Sequence, residues 1–248
     1  MKISDYTGVW QEEQVVKSFQ IGPNYILKPT AIAEFFQEAA GNHSNAEKFG
    51  MREMMALGKA WVLGSIKYKI NQWPKWSDNL LIETWVFDVQ KFSSQRNFIM
   101  KNQKEEVLIE GSSNWFGIDF KKRKPTYIDD FMDVVHVRED LTTTGKPDKL
   151  RGLERVDHSS QRKAVFSDLD PVNHVNNIKY LEWMIDSLPA EVKKKSLSQV
   201  ETNYLSEVRL DEEVKILSEI DQVENGFNII TCIMKEEKPA CILHTVWE

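Results

Sequence analysis

Cysteine is almost absent from this chain. Cys232 and Cys241 are the only two in 248 residues, with no CxxC pair and no ligand-like spacing to the five histidines, which argues against a disulfide framework and a zinc module; no metal or other cofactor is expected. No apolar run approaches the ~18 residues of a membrane-crossing helix. Met1 to Gln20 alternates polar and apolar groups and carries Asp5, Glu12 and Glu13, unlike a secretory or transit leader, so the chain is expected to be cytoplasmic. An excess of positive charge is also missing. Lys and Arg number 32 against 38 Asp and Glu, a net charge of −6, which excludes the bulk field behind sequence-independent nucleic-acid binding. Any polyanionic partner must dock on a local basic patch. No Gly-rich phosphate loop appears.

What the chain does have is core material. Its hydrophobic share of 41% against 28% charged residues excludes a disordered chain, and its length fits two domains. The pattern predicts a strand near Glu13–Ile21, a turn at Gly22-Pro23-Asn24, and a helix from about Thr30 to Asn42. In that helix Ala31, Ile32, Phe35, Phe36, Ala39 and Ala40 recur at one-turn spacing. Strands follow at Ala60–Ile70, Leu80–Val89, Ser94–Asn102 and Glu106–Ile118. The second half repeats the order: a strand at Arg162–Phe166, a helix from about Asn176 to Leu188, then strands at Ser198–Leu205, Glu213–Gln222, Phe227–Lys235 and Ala240–Trp247. This is an α+β pattern with a weak internal duplication, without alternating βαβ units. The domains are expected at 1–135 and 159–248, with a linker over 136–158 and a short helix at Ile128–Val135.

The densest polar cluster runs from Ser167 to Asn177, at the turn between the strand and the helix of the second half. It holds Asp168, Asp170, Asn173, His174, Asn176 and Asn177. A helix start leaves backbone N–H groups unpaired and carries partial positive charge, so it can hold an oxyanion, and an imidazole beside it can act as base or orienter. The same residues also read as a helix cap, with Pro171 stiffening the turn and His174 at the surface. Glu207, by local sequence alone, is an exposed strand-end carboxylate beside Arg209.

The run Asp168-Leu169-Asp170 to His174-Val175-Asn176-Asn177, followed by Lys179-Tyr180, resembles the D-L-D-x-x-x-H-V-N-N-x-K-Y signature of plant and bacterial acyl-acyl carrier protein thioesterases. Trp73-Pro74-Lys75-Trp76-Ser77-Asp78 with Glu83-Thr84-Trp85 is similar to that family's Y-P-x-W-G-D and E-T-W segment. Ser113-Asn114-Trp115 resembles its S-x-W strand, and Gln37-Glu38 with Asn42-His43 its first helix. The resemblance implies two tandem hot-dog domains, each a long helix wrapped by an antiparallel sheet. It also implies hydrolysis of fatty acyl-acyl carrier protein to free fatty acid, ending fatty acid synthesis. The family's catalytic Asp and His fall on Asp170 and His174, and its strand-end Glu on Glu207. Two positions depart: Val172 stands where the plant pattern has Asn, and Val208 where it has a Cys once proposed as nucleophile.

These readings predict that Glu207 or Asp170 activates water, and that His174 orients the thioester or protonates the departing thiol. Asn173, Val175, Asn176 and Asn177 are expected to hold the oxyanion. The first domain, with Trp73 at the Glu207 position and Leu27-Lys28-Pro29 before its helix, is expected to bind the acyl chain and to lack the chemistry. The partner implied is an acidic acyl carrier protein with its phosphopantetheine-linked acyl chain, docking on Lys121, Lys122 and Arg123, on Arg162, or on Lys193 and Lys194. A monomer or homodimer is expected. The alternatives are an acyl-CoA thioesterase or another hot-dog enzyme, and a non-catalytic acyl-binding module.

Overall fold

The computed structural model describes residues 7–131 and 133–248. Met132, within the short helix expected at Ile128–Val135, lies outside the described residues; around it a single 3-10 turn covers Asp129–Phe131. The chain divides into two compact units, residues up to Gly64 with Tyr68–Lys146, and Ser65–Lys67 with Pro147–Glu248.

The first unit contains β1 (Trp10–Val15), α1 (Pro29–Ala46), α2 (Met51–Ala56), β2 (Lys59–Ile70), β3 (Asn79–Val89), β4 (Ser93–Asn102), β5 (Val107–Asp119) and the two-residue β6 (Lys124–Pro125). Its strands lie in the order β1-β3-β4-β5-β2, with β6 antiparallel to the end of β5. The second contains β7 (His158–Lys163), α3 (Asn177–Ser187), β8 (Leu197–Tyr204), β9 (Glu213–Val223), β10 (Gly226–Lys235) and β11 (Lys238–Trp247), ordered β8-β11-β10-β9-β7. Written from the first strand of each unit, the two orders are the same. The duplication expected from sequence is a repeated topology.

Each helix buries an apolar face on its sheet. Pro29 at the first helical position needs no amide partner and fixes φ for α1. The stripe from Ala31 to Ala40 is buried, and Phe36 stacks on Phe98 of β4 at 4.6 Å and meets Tyr68 of β2 edge-on at 6.3 Å. Burying one such phenyl ring contributes roughly 2–3 kcal/mol. In α3 the buried residues are Tyr180, Leu181, Trp183 and Met184, with Tyr180 edge-on to Tyr204 of β8 at 5.8 Å. The hot-dog architecture is therefore present in both units.

Three elements differ from the sequence reading by more than two residues at an end. β1 and β7 each begin and end earlier than expected, because the apolar residues that prolong the pattern, Val16 and Ala164-Val165-Phe166, lead into 3-10 turns at Ser18–Gln20 and Phe166–Asp168. Helix α1 runs four residues past Asn42 and stops where Lys48 adopts a φ of 62° and Phe49 N–H reaches Ser44 O at 3.0 Å. Helix α2 has no counterpart among the expected elements. It is held by Met54, buried against Phe49, Val86, Ile128 and Phe131.

Residues 136–158 carry little regular structure but are tied to strands. In the first unit Trp85 Nε1 and Asn97 Nδ2 both donate to Leu141 O, at 3.1 and 3.2 Å. In the second, Arg151 pairs with the buried Glu219 at 2.6 Å, which holds that carboxyl down at about 2. Among the described residues no helix is long and apolar enough to cross a membrane.

Candidate functional site

The site begins with a five-residue turn. Asp170 N–H donates to His174 O at 2.8 Å, Asn173 N–H to Asp170 O at 3.0 Å, and Asn173 sits at a φ of 64°, a region Asn tolerates better than most residues. The Asp170 carboxylate closes the turn from inside: Oδ1 accepts the backbone N–H of Val172 at 2.9 Å and of His174 at 3.1 Å. Beneath it the buried Asp168 accepts Val165 N–H at 3.0 Å, and its backbone oxygen takes Asn176 N–H at 2.8 Å. Asn176 caps α3 by accepting Ile178 N–H at 3.0 Å.

The segment after β8 runs alongside. Val175 N–H donates to Val208 O at 2.8 Å, and His174 bridges to Arg209 in antiparallel fashion. This pairing sets His174 Nε2 3.1 Å from Glu207 Oε2, with the imidazole 16% and the carboxylate 35% exposed. Both groups can reach water and each other. Arg209 Nη2 lies 4.0 Å from the same Glu207 oxygen.

A second set of contacts, which the sequence did not reveal, clamps the segment that carries Glu207. Lys235 Nζ donates to Glu207 O at 3.1 Å and pairs with Glu212 Oε2 at 2.7 Å, while that oxygen also accepts Arg209 N–H at 2.8 Å. Burial pushes the Glu212 carboxyl up, but Lys235 and the Arg209 N–H outweigh it, leaving the group below its usual range. Only the strand register could have signalled this, since Lys235 pairs with Val214, two residues beyond Glu212.

The expected residues thus divide. His174 and Glu207 are in contact; Asp170 holds the turn through backbone amides. The amides of Val175 and Asn176 are taken by Val208 O and Asp168 O, which leaves Asn177 N–H as the amide of this stretch without an acceptor among the described residues. Val208 is fully buried, and no thiol stands beside Glu207. Cys232 and Cys241 are buried free thiols with their pKa pushed up by burial, Cys241 strongly. Among the described residues no group of three or more His, Cys, Asp or Glu could hold a metal ion.

The first unit repeats the backbone bonds of this turn, without the two that the Asp170 carboxylate accepts. Gly22 N–H donates to Ile26 O at 2.8 Å, Tyr25 N–H to Gly22 O at 3.1 Å, Leu27 N–H to Pro74 O at 2.8 Å and Lys28 N–H to Gln20 O at 2.8 Å. Ile26 bridges to Lys75 as His174 does to Arg209. Gly22 therefore stands for Asp170, Ile26 for His174 and Trp73 for Glu207. Sequence reasoning placed Leu27-Lys28-Pro29 opposite the Asp–His turn; the hydrogen bonds move the comparison to Gly22–Ile26.

Two helix-in-sheet units, the second with an imidazole–carboxylate pair where its helix begins, define a tandem hot-dog protein. Family profiles described as the acyl-ACP thioesterase N-terminal and C-terminal domains, ACP being acyl carrier protein, match residues 7–135 and 153–248. The chain belongs to the acyl-ACP thioesterase family. It is 27% identical over 228 residues to a chloroplastic acyl-[acyl-carrier-protein] hydrolase of Cuphea viscosissima, covering 85% of this chain but 55% of that protein. The chain spans little more than half the length of that relative. In fold it matches a 12:0-ACP thioesterase from Umbellularia californica (TM-score 0.83, 22% identity, 97% of this chain and 94% of that one). It also matches an acyl-ACP thioesterase from Bacteroides thetaiotaomicron (TM-score 0.79, 22% identity, 97% and 98%).

Proposed function

We propose that the chain hydrolyses fatty acyl thioesters of acyl carrier protein, releasing free fatty acid and carrier thiol, at the turn from Asp168 to Asn177. The observation that carries this reading is the 3.1 Å contact between His174 Nε2 and Glu207 Oε2 at the start of α3. Family membership and the name of the Cuphea relative support the substrate class.

In this mechanism Glu207 takes a proton from water as the water oxygen bonds to the thioester carbon. The resulting oxyanion is held by Asn177 N–H and the positive end of α3. The carbon–sulfur bond then breaks, and the thiolate takes a proton through His174. Glu207 is preferred over Asp170 as base because Asp170 Oδ1 is committed to two backbone amides. Asp170 is then a positioning residue that sets the direction of the imidazole. The first unit, with Ile26 and Trp73 at the equivalent positions, contributes acyl binding without chemistry. Two free thiols in neighbouring strands fit a reducing cytoplasm.

The test is hydrolysis of acyl carrier protein thioesters from short to long, with each acyl group also offered on CoA. Glu207→Gln and His174→Ala should each lower kcat by a factor on the order of 10² or more. Full turnover by either variant removes that residue from the set. Equal or faster turnover of the CoA esters would reassign the carrier.

A further inference from the structure

We infer that the turn of the first unit, where the second unit has its catalytic turn, is a contact site for an anionic lipid surface. Three large rings stand out there into solvent: Phe19 is 68% exposed, Tyr25 65% and Trp76 53%. They belong to one surface. Trp76 N–H donates to Tyr25 O at 3.2 Å, Lys28 Nζ to Phe19 O at 3.0 Å, and Ser77 N–H to Val16 O at 3.0 Å, so the three turn segments touch. Lys17, Lys28 and Lys75 are exposed around the rings, and none of the three ammonium groups pairs with a carboxylate among the described residues.

The matched turn of the second unit exposes Phe166 (81%), at the position of Ser18, in place of these three rings. Phe19, Tyr25 and Trp76 correspond there to Ser167, Asn173 and Leu210, and Lys75 to Arg209, which lies 4.0 Å from Glu207. The rings are therefore not demanded by the fold. Tyr25 occupies a left-handed φ of 60°, which an aromatic residue adopts rarely and Asn readily.

Trp and Tyr rings settle at the level of lipid headgroups, Phe reaches the acyl boundary, and lysine ammonium groups sit among phosphates. All three cations here are Lys, which act as point charges toward phosphate. A second copy of the chain is a poor occupant, because a twofold contact would set six ammonium groups against one another. With the chain's net charge of −6, attraction to an anionic surface must come from this patch at short range and weaken with salt.

The experiment is sedimentation of the full chain with phosphatidylglycerol–phosphatidylcholine vesicles and with pure phosphatidylcholine vesicles, at low and high salt. Binding is expected to the mixed vesicles at low salt only. The triple variants Phe19→Ser/Tyr25→Asn/Trp76→Gln and Lys17→Gln/Lys28→Gln/Lys75→Gln should each lose at least about fivefold in bound fraction while keeping the wild-type unfolding midpoint. A wild-type chain that stays in the supernatant, or variants that bind as it does, would overturn the inference. So would a rise in KM for a carrier protein thioester in both variants with vesicle binding unaltered, since that would make the patch a contact for an acidic protein.

Discussion

His43 is an imidazole that its surroundings hold toward the neutral form. It is fully buried in α1, accepts from Arg96 Nη1 at Nδ1 (2.7 Å), faces Glu47 through Nε2 (3.3 Å), and stacks against Trp10. Burial first, then the Arg96 charge, outweigh the carboxylate of Glu47 and bring its pKa down to about 4. The unfolded imidazole takes up its proton near 6.5, so between 6.5 and 4 the unfolded chain binds the extra proton. Stability from the neutral ring is thus complete above 6.5 and lost as pH falls toward 4. Between pH 7 and pH 5 the loss from this group is about 2 kcal/mol. Urea unfolding at the two pH values should show His43→Gln losing less stability than wild type by that amount; equal losses would refute the assignment. Nothing near His43 in sequence announces its partner, for Arg96 arrives from β4, 53 residues away. His174 was legible because its turn gathers Asp, Asn and His in one stretch. Glu207 was legible only through the family signature, since its meaning comes from a strand end meeting a distant turn.

At the scale of elements, the repeated helix and strands were readable because their apolar periods are long and consistent. The ends were not. Gly41-Asn42-His43-Ser44-Asn45 looks like a helix stop by propensity, yet α1 continues through it because burial of His43 favours the last turn. Helix α2 is too short for a period to declare itself; one buried methionine decides it. The element that matters most for the proposed chemistry is the connection from β8 to β9, which carries Glu207 and is held from β10 by Lys235 through Glu212. Lys235→Met should free this connection and lower kcat about tenfold with KM changed less than about twofold, because a misplaced base costs turnover more than binding. Lys235→Arg, which can still reach both oxygens, should restore most of it. A loss in KM alone, or no rescue by Arg, would place Lys235 outside the positioning of Glu207.

For the whole molecule the governing quantity is its net charge of −6 against the acidic carrier of the proposed reaction. Long-range repulsion must be offset by local cations. Two candidate sets differ in what they already hold. Arg162 lies over the Trp183 ring at 5.4 Å and pairs with Asp186 at 3.2 Å, and Lys193 Nζ donates to Asp186 O at 3.3 Å. Lys121, Lys122 and Arg123 sit at the turn between β5 and β6, where Lys122 is 78% exposed against 32% for Arg162. Lys122 has Asp119 beside it at 3.8 Å, an exposed pair that costs little to exchange for a carrier carboxylate. Replacing Lys121, Lys122 and Arg123 by Glu should raise KM for a carrier protein thioester about tenfold, and the same change at Arg162, Lys193 and Lys194 only about twofold. For wild type, kcat/KM on the carrier protein substrate should fall steeply as salt rises, while a short pantetheine thioester, with no acidic surface to steer, should show a flat response. A flat response on both substrates, with neither set altering KM, would mean that carrier recognition rests on the acyl chain and its pantetheine arm alone.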